Sequence, residues 1–282
     1  MFEGITISGF ADEIDMNLDK QIEVITKLGI NHIEMRGVNG KGLVEYPLEE
    51  VKEIKKTLDE HGIRLSSVGS PIGKIKIEDD FEPHFELFHH TVEIAKIMEA
   101  PYIRMFSFFI DPEKDPADYR DAVMERMGRM VAYAKEQGVI LLHENEKDIY
   151  GDVAPRCLDP MKEFYCDNFK AVFDFANFVQ CKQNTLEAYE MLKPYIAYVH
   201  IKDAVWADGS VVPAGTGDGN VKEILGMLKA SGYQGFLSLE PHLAEFAGFS
   251  ALEKEGSIGH KLTGEEAYTL AYTSLQKVLN EL

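Results

Sequence analysis

The sequence has few of the features that mark secreted, membrane-spanning or disulfide-stabilised proteins. Its three cysteines, Cys157, Cys166 and Cys181, are odd in number and show no C-x-x-C spacing, so neither a disulfide framework nor a zinc ribbon is expected. The first ten residues lack a basic region followed by an apolar stretch, and no run approaches the ~18 consecutive apolar residues of a membrane-spanning helix. We therefore expect a cytoplasmic protein with free thiols and no membrane association.

Positive charge is also scarce. The 282 residues include 29 Lys and Arg against 48 Asp and Glu, which gives a formal net charge of -19 at pH 7. Such a field repels a phosphodiester backbone unless a local basic stripe overrides it. The densest basic stretches, Lys52–Lys56 and Lys74–Lys76, lie among acidic residues. No nucleic-acid partner is expected.

The order of apolar segments predicts the fold. Hydrophobic residues make up 45% of the chain, enough for a substantial core, and short segments rich in β-branched and aromatic residues alternate with longer amphipathic ones. Eight such pairs without a Pro-, Gly- or Ser-rich linker predict a single-domain (β/α)8 TIM barrel over residues 1–282. The predicted strands are Gly4–Ser8, Asn31–Met35, Arg64–Val68, Tyr102–Phe106, Val139–Glu144, Ala171–Asp174, Tyr198–Lys202 and Phe236–Glu240.

Helices are predicted between these strands, with a less regular one after Pro155. The two longest loops, residues 69–83 and 241–263, follow strands, on the side of a barrel where chemistry takes place. Left-handed helix ends are predicted at Gly29, Gly62, Gly138 and Gly232. The predicted helices are Leu18–Leu28, Leu48–His61, Phe85–Met98, Tyr119–Gln137, Thr185–Tyr195, Val221–Ala230 and Glu265–Leu282.

Four consecutive predicted strands end in residues that can bind a metal: Glu144, Asp174, His200 and Glu240. Because side chains alternate across a strand, all four can point into the barrel mouth. Any one of them alone would be read as a rim charge or a satisfied core group. Three carboxylates close together repel unless they are neutralised, so the set predicts one divalent cation, with Mn²⁺ or Mg²⁺ favoured and Zn²⁺ or Co²⁺ as alternatives.

Two further residues lie two positions beyond predicted ligands, on the same strand faces. Lys202 either holds a substrate hydroxyl, carboxylate or phosphate, or forms a salt bridge with a rim acid. His242 either binds substrate or orients Glu240, the alternative being a turn histidine after Pro241.

Other charged residues are predicted nearer the opposite strands. Glu34 and Arg36 share an inward strand face, which makes Arg36 a candidate substrate contact. Arg104 is expected to pair with an interior carboxylate such as Glu34. Lys74, in the loop from Gly69, could reach an anion, although an ordinary turn is the alternative.

Two loops offer less specific signals. Trp206, with Phe246 and Phe249, could wall the pocket or form a subunit contact. The segment 213–220 leads into a predicted helix near the barrel region that often binds phosphate, but Asp218 within it would oppose an anion.

The strand-end segments resemble those of xylose isomerase-like TIM barrels, specifically the sugar phosphate isomerase/epimerase family with its ketose 3-epimerases, hydroxypyruvate isomerase and inosose dehydratase. The resemblance covers nearly the whole chain, and the order of the segments is more specific than any one of them. The matching segments are LLHENE at Leu141–Glu146, VFDFAN at Val172–Asn177, VHIKD at Val199–Asp203, PAGTGDGN at Pro213–Asn220 and LSLEPH at Leu237–His242.

The resemblance implies that the same four residues hold the metal and that Glu144 and Glu240 flank the substrate carbon, one removing a proton α to a carbonyl and the other returning one. It implies a metal-dependent isomerase or epimerase of a sugar or hydroxy-ketone that works through an enediolate, and a homodimer or homotetramer. Which glutamate acts first stays open. Asn177 departs from the family pattern, since many epimerases have a substrate-contacting histidine there; the amide keeps hydrogen bonding but cannot act as an acid.

Three other functions stay open from the sequence. An inosose-type dehydratase would use the same site. A DNA repair nuclease similar to endonuclease IV would need extra histidines that the ends of the third and fourth strands lack, and the acidic charge opposes DNA. A non-catalytic sugar-binding barrel would keep the metal residues for structure alone, with metal-dependent stability and no turnover.

Overall fold

A computed structural model describes residues 2–244 and 262–282, so Phe246 and Phe249 lie outside the described residues. The strands of the main sheet are β1 (Thr6–Gly9), β2 (His32–Met35), β3 (Arg64–Val68), β4 (Tyr102–Met105), β5 (Ile140–His143), β6 (Phe169–Asp174), β7 (Ile196–Ile201) and β8 (Phe236–Leu239). These eight parallel strands pair in the order β1-β8-β7-β6-β5-β4-β3-β2, and β1 also lies against β2, which gives a (β/α)8 TIM barrel.

The predicted barrel is confirmed, and each strand limit lies within two residues of its prediction. The glycines at the predicted helix ends adopt the left-handed conformation, with φ between 68° and 78°. Within the described residues, no helix is both long enough and apolar enough to cross a membrane. The helices are α1 (Leu18–Lys27), α2 (Leu48–Glu60), α3 (Phe81–Ile97), α4 (Arg120–Gln137), α5 (Ala154–Phe164), α6 (Phe175–Gln180), α7 (Thr185–Leu192), α8 (Val221–Ala230) and α9 (Gly264–Asn280).

Helix α7 ends three residues before its predicted end, at Leu192. Two helix starts differ from the prediction because side chains cap them locally. Helix α3 begins four residues early, where the Asp80 carboxylate accepts a hydrogen bond from the backbone N–H of Glu82. The short α6 was not predicted. It starts directly after β6 because the Asp174 carboxylate accepts a hydrogen bond from the backbone N–H of Asn177 at 2.7 Å.

The barrel interior is layered. Leu142, Val172 and Tyr198 form an apolar layer, against which the first residues of β4 and β8, Tyr102 and Phe236, pack. The larger core lies between the sheet and the surrounding helices. The interior is therefore filled at the amino-terminal ends of the strands, which leaves the polar side chains at their carboxyl-terminal ends.

Gly73, in the loop after β3, is required by a close backbone approach. It has φ +91°, and an added Cβ would lie 2.5 Å from the carbonyl carbon of Phe106. Its N–H donates to His84 Nε2 at 2.7 Å, which fixes the loop. The loop that carries Lys74 is thereby held against the end of β4.

Gly73→Ala should lower the free energy of unfolding by about 2 kcal/mol more than Gly29→Ala, as measured by urea denaturation. Both glycines have positive φ, at +91° and +74°, but an added Cβ at Gly29 meets no atom of the described residues within 4 Å. The comparison therefore isolates the steric conflict with Phe106. Equal losses of unfolding free energy in the two variants would contradict the close approach of Gly73 to the Phe106 backbone.

Candidate active site

Four adjacent strands bring the predicted metal-binding residues together. Glu144 follows β5, Asp174 ends β6, His200 lies in β7 and Glu240 follows β8. One ligand atom from each residue lies within 4.8 Å of the others, and all four side chains are buried. The alternation of side chains along the strands thus produces one cluster at the barrel mouth.

The imidazole of His200 is at the centre of this cluster. Its Nδ1 lies 2.8 Å from Glu144 Oε1, 3.6 Å from Glu240 Oε2 and 3.9 Å from Asp174 Oδ2. Burial acts to lower the pKa of His200, but Glu144 and Glu34 together raise it well above its ordinary value. In the protein alone, the ring therefore carries a proton on the nitrogen that faces the three carboxylates.

Glu34, on β2, holds the other side of the ring. Its Oε2 lies 3.1 Å from His200 Nε2 and accepts a hydrogen bond from Ser238 Oγ at 2.7 Å. The ring of Phe10 packs edge-on against the imidazole, with centroids 5.3 Å apart. Together these contacts direct Nδ1 toward Glu144 and the other carboxylates.

Lys202 supplies a second positive charge. Its Nζ lies 3.0 Å from Glu240 Oε2 and 3.3 Å from Asp174 Oδ2, in a buried position. Burial and the neighbouring carboxylates Glu240 and Glu144 raise the pKa of Asp174 to about 7, although Lys202 acts in the opposite direction. Asp174 Oδ2 makes no hydrogen bond with any described residue.

Arg104 pairs with an interior carboxylate, as we predicted, but with Glu144 and not with Glu34, the example that we named. Its Nη1 lies 3.2 Å from Glu144 Oε2 and 3.8 Å from Glu240 Oε1. The guanidinium carbon lies 4.8 Å from the ring centroid of Phe10, which orients it further. Glu34 Oε2 contacts His200 and Ser238, and Arg104 is directed toward Glu144 and Glu240.

Arg36 lies on the β2 side of the mouth, as predicted. Its Nε donates to Asp12 Oδ2 at 2.8 Å, and its Nη1 lies 3.4 Å from Glu240 Oε1. Its Nη2 also lies 3.3 Å from Glu13 Oε1. Asp12 and Glu13 belong to a 3-10 turn after β1 and were missed by the sequence analysis, although they are an acidic pair directly after a strand.

His242 lies next to Glu240, as the strand spacing predicted. Its Nε2 is 3.4 Å from Glu240 Oε1 and 3.5 Å from Glu13 Oε1. Its backbone N–H donates to Glu13 Oε2 at 2.7 Å and its φ is +46°, so Glu13 holds a left-handed turn. The arrangement fits a residue that orients Glu240 at the edge of the cluster.

The remaining predicted contacts divide into two groups. Asn177 Nδ2 lies 3.5 Å from Glu144 Oε1, and Lys74 Nζ lies 2.9 Å from Glu146 Oε2, so the structure places both near the mouth. Trp206 is not brought to this cluster. It is 42% exposed and lines a separate surface groove with residues such as Asn184 and Lys222.

The four clustered residues fit a divalent cation. Three carboxylates and one imidazole nitrogen are suitable ligands. Asp174 Oδ2 is buried and forms an ion pair with Lys202 but no hydrogen bond with a described residue, so it can still accept a cation. Glu13, Glu240 and His242 form a second compact group. There, Arg36 lies 3.3 Å and 3.4 Å from the two glutamates, and its fixed positive charge opposes a cation.

Comparison with known proteins identifies the family of the chain. Residues 22–262 match the family described as the xylose isomerase-like TIM barrel. The chain belongs to this family. The chain is 21% identical over 184 residues to the 3-dehydroshikimate dehydratase of Bacillus anthracis, a match that covers 64% of each of the two proteins.

Solved structures of this xylose isomerase-like fold superpose over almost the whole chain. The IOLI protein with a bound zinc atom has a TM-score of 0.77 at 18% identity, and 98% of each chain is covered. The 3-keto-D-glucoside 4-epimerase of E. coli has a TM-score of 0.70 at 16% identity, with 98% of this chain and 99% of that one covered. These similarities establish the fold.

In metal-free buffer, Asp174→Asn should become more stable than the wild type as the pH rises from 5 to 8. The pKa of Asp174 is raised to about 7 in the folded state, whereas an unfolded aspartate ionises near pH 4, so ionisation of the buried carboxylate increasingly destabilises the wild type over this range. We expect a difference in free energy of unfolding of at least about 1 kcal/mol at pH 8, measured by urea denaturation.

The matched control is Asp121→Asn, because the Asp121 side chain is fully exposed on α4. The difference in free energy of unfolding between Asp121→Asn and the wild type should not change with pH. Adding Mn²⁺ or Zn²⁺ should stabilise the wild type more than Asp174→Asn. A pH-independent difference for Asp174→Asn would show that the carboxylate is not perturbed by its surroundings.

Proposed function

We propose that this xylose isomerase-like barrel is a metal-dependent isomerase or epimerase of a sugar or related hydroxy-ketone, with Glu144 and Glu240 as its proton-transfer groups. One observation carries the proposal. The two buried glutamates, from different strands, direct carboxylate oxygens to the same His200 nitrogen, at 2.8 Å and 3.6 Å. A substrate carbon held beside this point is within reach of two carboxylates, as removal and return of a proton require.

The surroundings keep Glu240 in the form that accepts a proton. Burial acts to raise the pKa of Glu240, but Lys202, His242 and His200 together hold it well below its ordinary value. Glu144 Oε2 and Glu240 Oε1 both face Arg104 Nη1. Arg104 thus places one guanidinium nitrogen between the two carboxylates and holds them on the same side of the mouth.

Glu144, Asp174, His200 and Glu240 are the residues that would hold the divalent cation. When bound, the cation offsets the carboxylate charge and polarises a carbonyl oxygen. The oxygen-rich donor set favours Mn²⁺ or Mg²⁺, and the zinc in the IOLI protein supports Zn²⁺ as an alternative. A metal-binding nitrogen must be unprotonated, so metal binding at His200 Nδ1 requires loss of the proton there.

The other side chains at the mouth would bind and orient the substrate. Donors within 3.5 Å of the catalytic glutamates come from Lys202 directly after β7, Arg36 directly after β2 and Asn177 in α6. Donors in these positions can hold hydroxyls on either side of the reacting carbon. His242 and Arg104 would keep the glutamates oriented while the substrate is bound.

Dehydration at the same site is the second candidate, supported by the sequence match to the Bacillus anthracis dehydratase. A dehydratase removes the proton α to a carbonyl and eliminates a β-hydroxyl, which leaves as water after protonation. Glu144 and Glu240 could divide these two tasks. The two reactions differ in product, because an epimerase or isomerase retains the oxygen that a dehydratase releases.

The test is deuterium incorporation from D₂O, followed by NMR, with Mn²⁺ and a panel of ketoses, inososes, hydroxypyruvate and 3-dehydroshikimate. Exchange α to the carbonyl should occur in at least one compound, and Glu144→Gln and Glu240→Gln should each reduce its rate by about 10³-fold because each removes a proton-transfer group. Glu136→Gln is the matched control, since Glu136 is exposed on α4.

Exchange that survives both substitutions would contradict the assignment of Glu144 and Glu240. Tight metal binding with no exchange in any compound would instead support the non-catalytic sugar-binding barrel. Loss of water from the substrate would identify the dehydratase.

A further inference from the structure

We propose that the substrate is an uncharged ketose or keto-polyol, without a phosphate or carboxylate group, and that Glu146 imposes this selectivity by neutralising Lys74 at the barrel mouth. The inference rests on the proposed function for the identity of the reaction. Its physical basis does not depend on that function. Lysine, arginine and backbone N–H groups at the mouth already contact carboxylates of the chain itself.

The pair of Lys74 and Glu146 joins the loops that follow β3 and β5. Lys74 Nζ lies 2.9 Å from Glu146 Oε2, with the two side chains 20% and 12% exposed, so the pair is at the rim of the site. Lys74 Nζ also lies 4.3 Å from the ring centroid of Phe106, and Glu146 Oε1 accepts a hydrogen bond from the N–H of Lys147. The lysine that could have attracted an anion is therefore held by a fixed carboxylate.

Three further cationic side chains at the described part of the mouth, Arg36, Lys202 and Arg104, are also committed to carboxylates. Arg36 Nε lies 2.8 Å from Asp12, and Lys202 Nζ lies 3.0 Å from Glu240. Arg104 is paired with Glu144 in the same way. An anionic substituent would have to separate one of these pairs and leave a buried carboxylate without its counter-charge, which is costly.

The backbone offers no ready alternative in the loop after β7. In TIM barrels, loops following strands seven and eight frequently bind phosphate through backbone N–H groups. Here the Asp203 carboxylate accepts hydrogen bonds from the N–H groups of Gly215, Gly217 and Gly219, each at 2.9 Å. The cradle that a phosphate would enter is thus filled by a side chain of the protein.

An ion pair at the rim suits a neutral polyol. A hydroxyl both donates and accepts hydrogen bonds, so Glu146 and Lys74 can contact the same or adjacent hydroxyls without being separated. A phosphate only accepts at neutral pH, and Glu146 would repel it. Selectivity of this kind arises from a repulsive group as much as from an attractive one.

The experiment compares D-fructose with D-fructose 6-phosphate, and inositol-derived ketones with 3-dehydroshikimate, on metal-loaded wild type and Glu146→Gln. The wild type should show a kcat/KM for deuterium exchange about 100-fold higher for the uncharged member of a pair. Glu146→Gln should reduce that preference about tenfold, through a lower KM for the anionic member. Glu136→Gln should keep the wild-type preference.

A second measurement does not depend on turnover. Inorganic phosphate, titrated by ³¹P NMR, should bind Glu146→Gln about tenfold more tightly than wild type, because Lys74 is released. Lys74→Met should bind phosphate no more weakly than the wild type, because Glu146 already neutralises Lys74 in the wild type. This variant serves as the test if Glu146→Gln does not fold.

Three results would overturn the inference: equal or better exchange of the anionic compounds by wild type, unchanged phosphate binding in folded Glu146→Gln, or a tenfold loss of phosphate binding in Lys74→Met. Absence of exchange in every compound would refute the proposed function, while the phosphate titrations would still decide whether Glu146 masks Lys74.

Discussion

The structure depends on how three carboxylates are accommodated in one buried space. Glu144, Asp174 and Glu240 converge on His200 at the mouth of a barrel whose opposite end is filled by apolar side chains. Their mutual repulsion in a desolvated site must be balanced by positive charge. In the protein alone, the protonated imidazole and Lys202 provide that balance, and a bound divalent cation would provide it more fully.

The principal elements of the site were predictable because they follow from strand geometry. Alternation fixes the direction of a side chain within a strand, and parallel strands end at a common edge, so Glu144, Asp174, His200 and Glu240 could be placed together from sequence order alone. The same rule put Lys202 on the strand face of His200, and the structure shows its Nζ 3.0 Å from Glu240 Oε2. The barrel itself follows from eight repeats of one pattern, whereas assembly into dimers or tetramers and a cytoplasmic location stay predictions.

The rest could not be predicted because it depends on loops and on competition between partners. Glu13 lies in a 3-10 turn, and Glu146 follows its strand, so no periodicity fixes the direction of either side chain. The choice of Arg104 between Glu34 and Glu144 depends on side-chain reach across the barrel, which sequence spacing does not contain. Trp206 shows the same limit: the sequence suggested a pocket wall or a subunit contact, but it did not predict the position of Trp206 in a separate groove.

The most direct test of the central claim is an anomalous-diffraction map from crystals grown with Mn²⁺. The account predicts a peak bonded to Glu144, Asp174, His200 Nδ1 and Glu240, with Glu34 still in contact with His200 Nε2. No peak at this position under saturating Mn²⁺, or a metal held instead by Glu13 and His242, would contradict it.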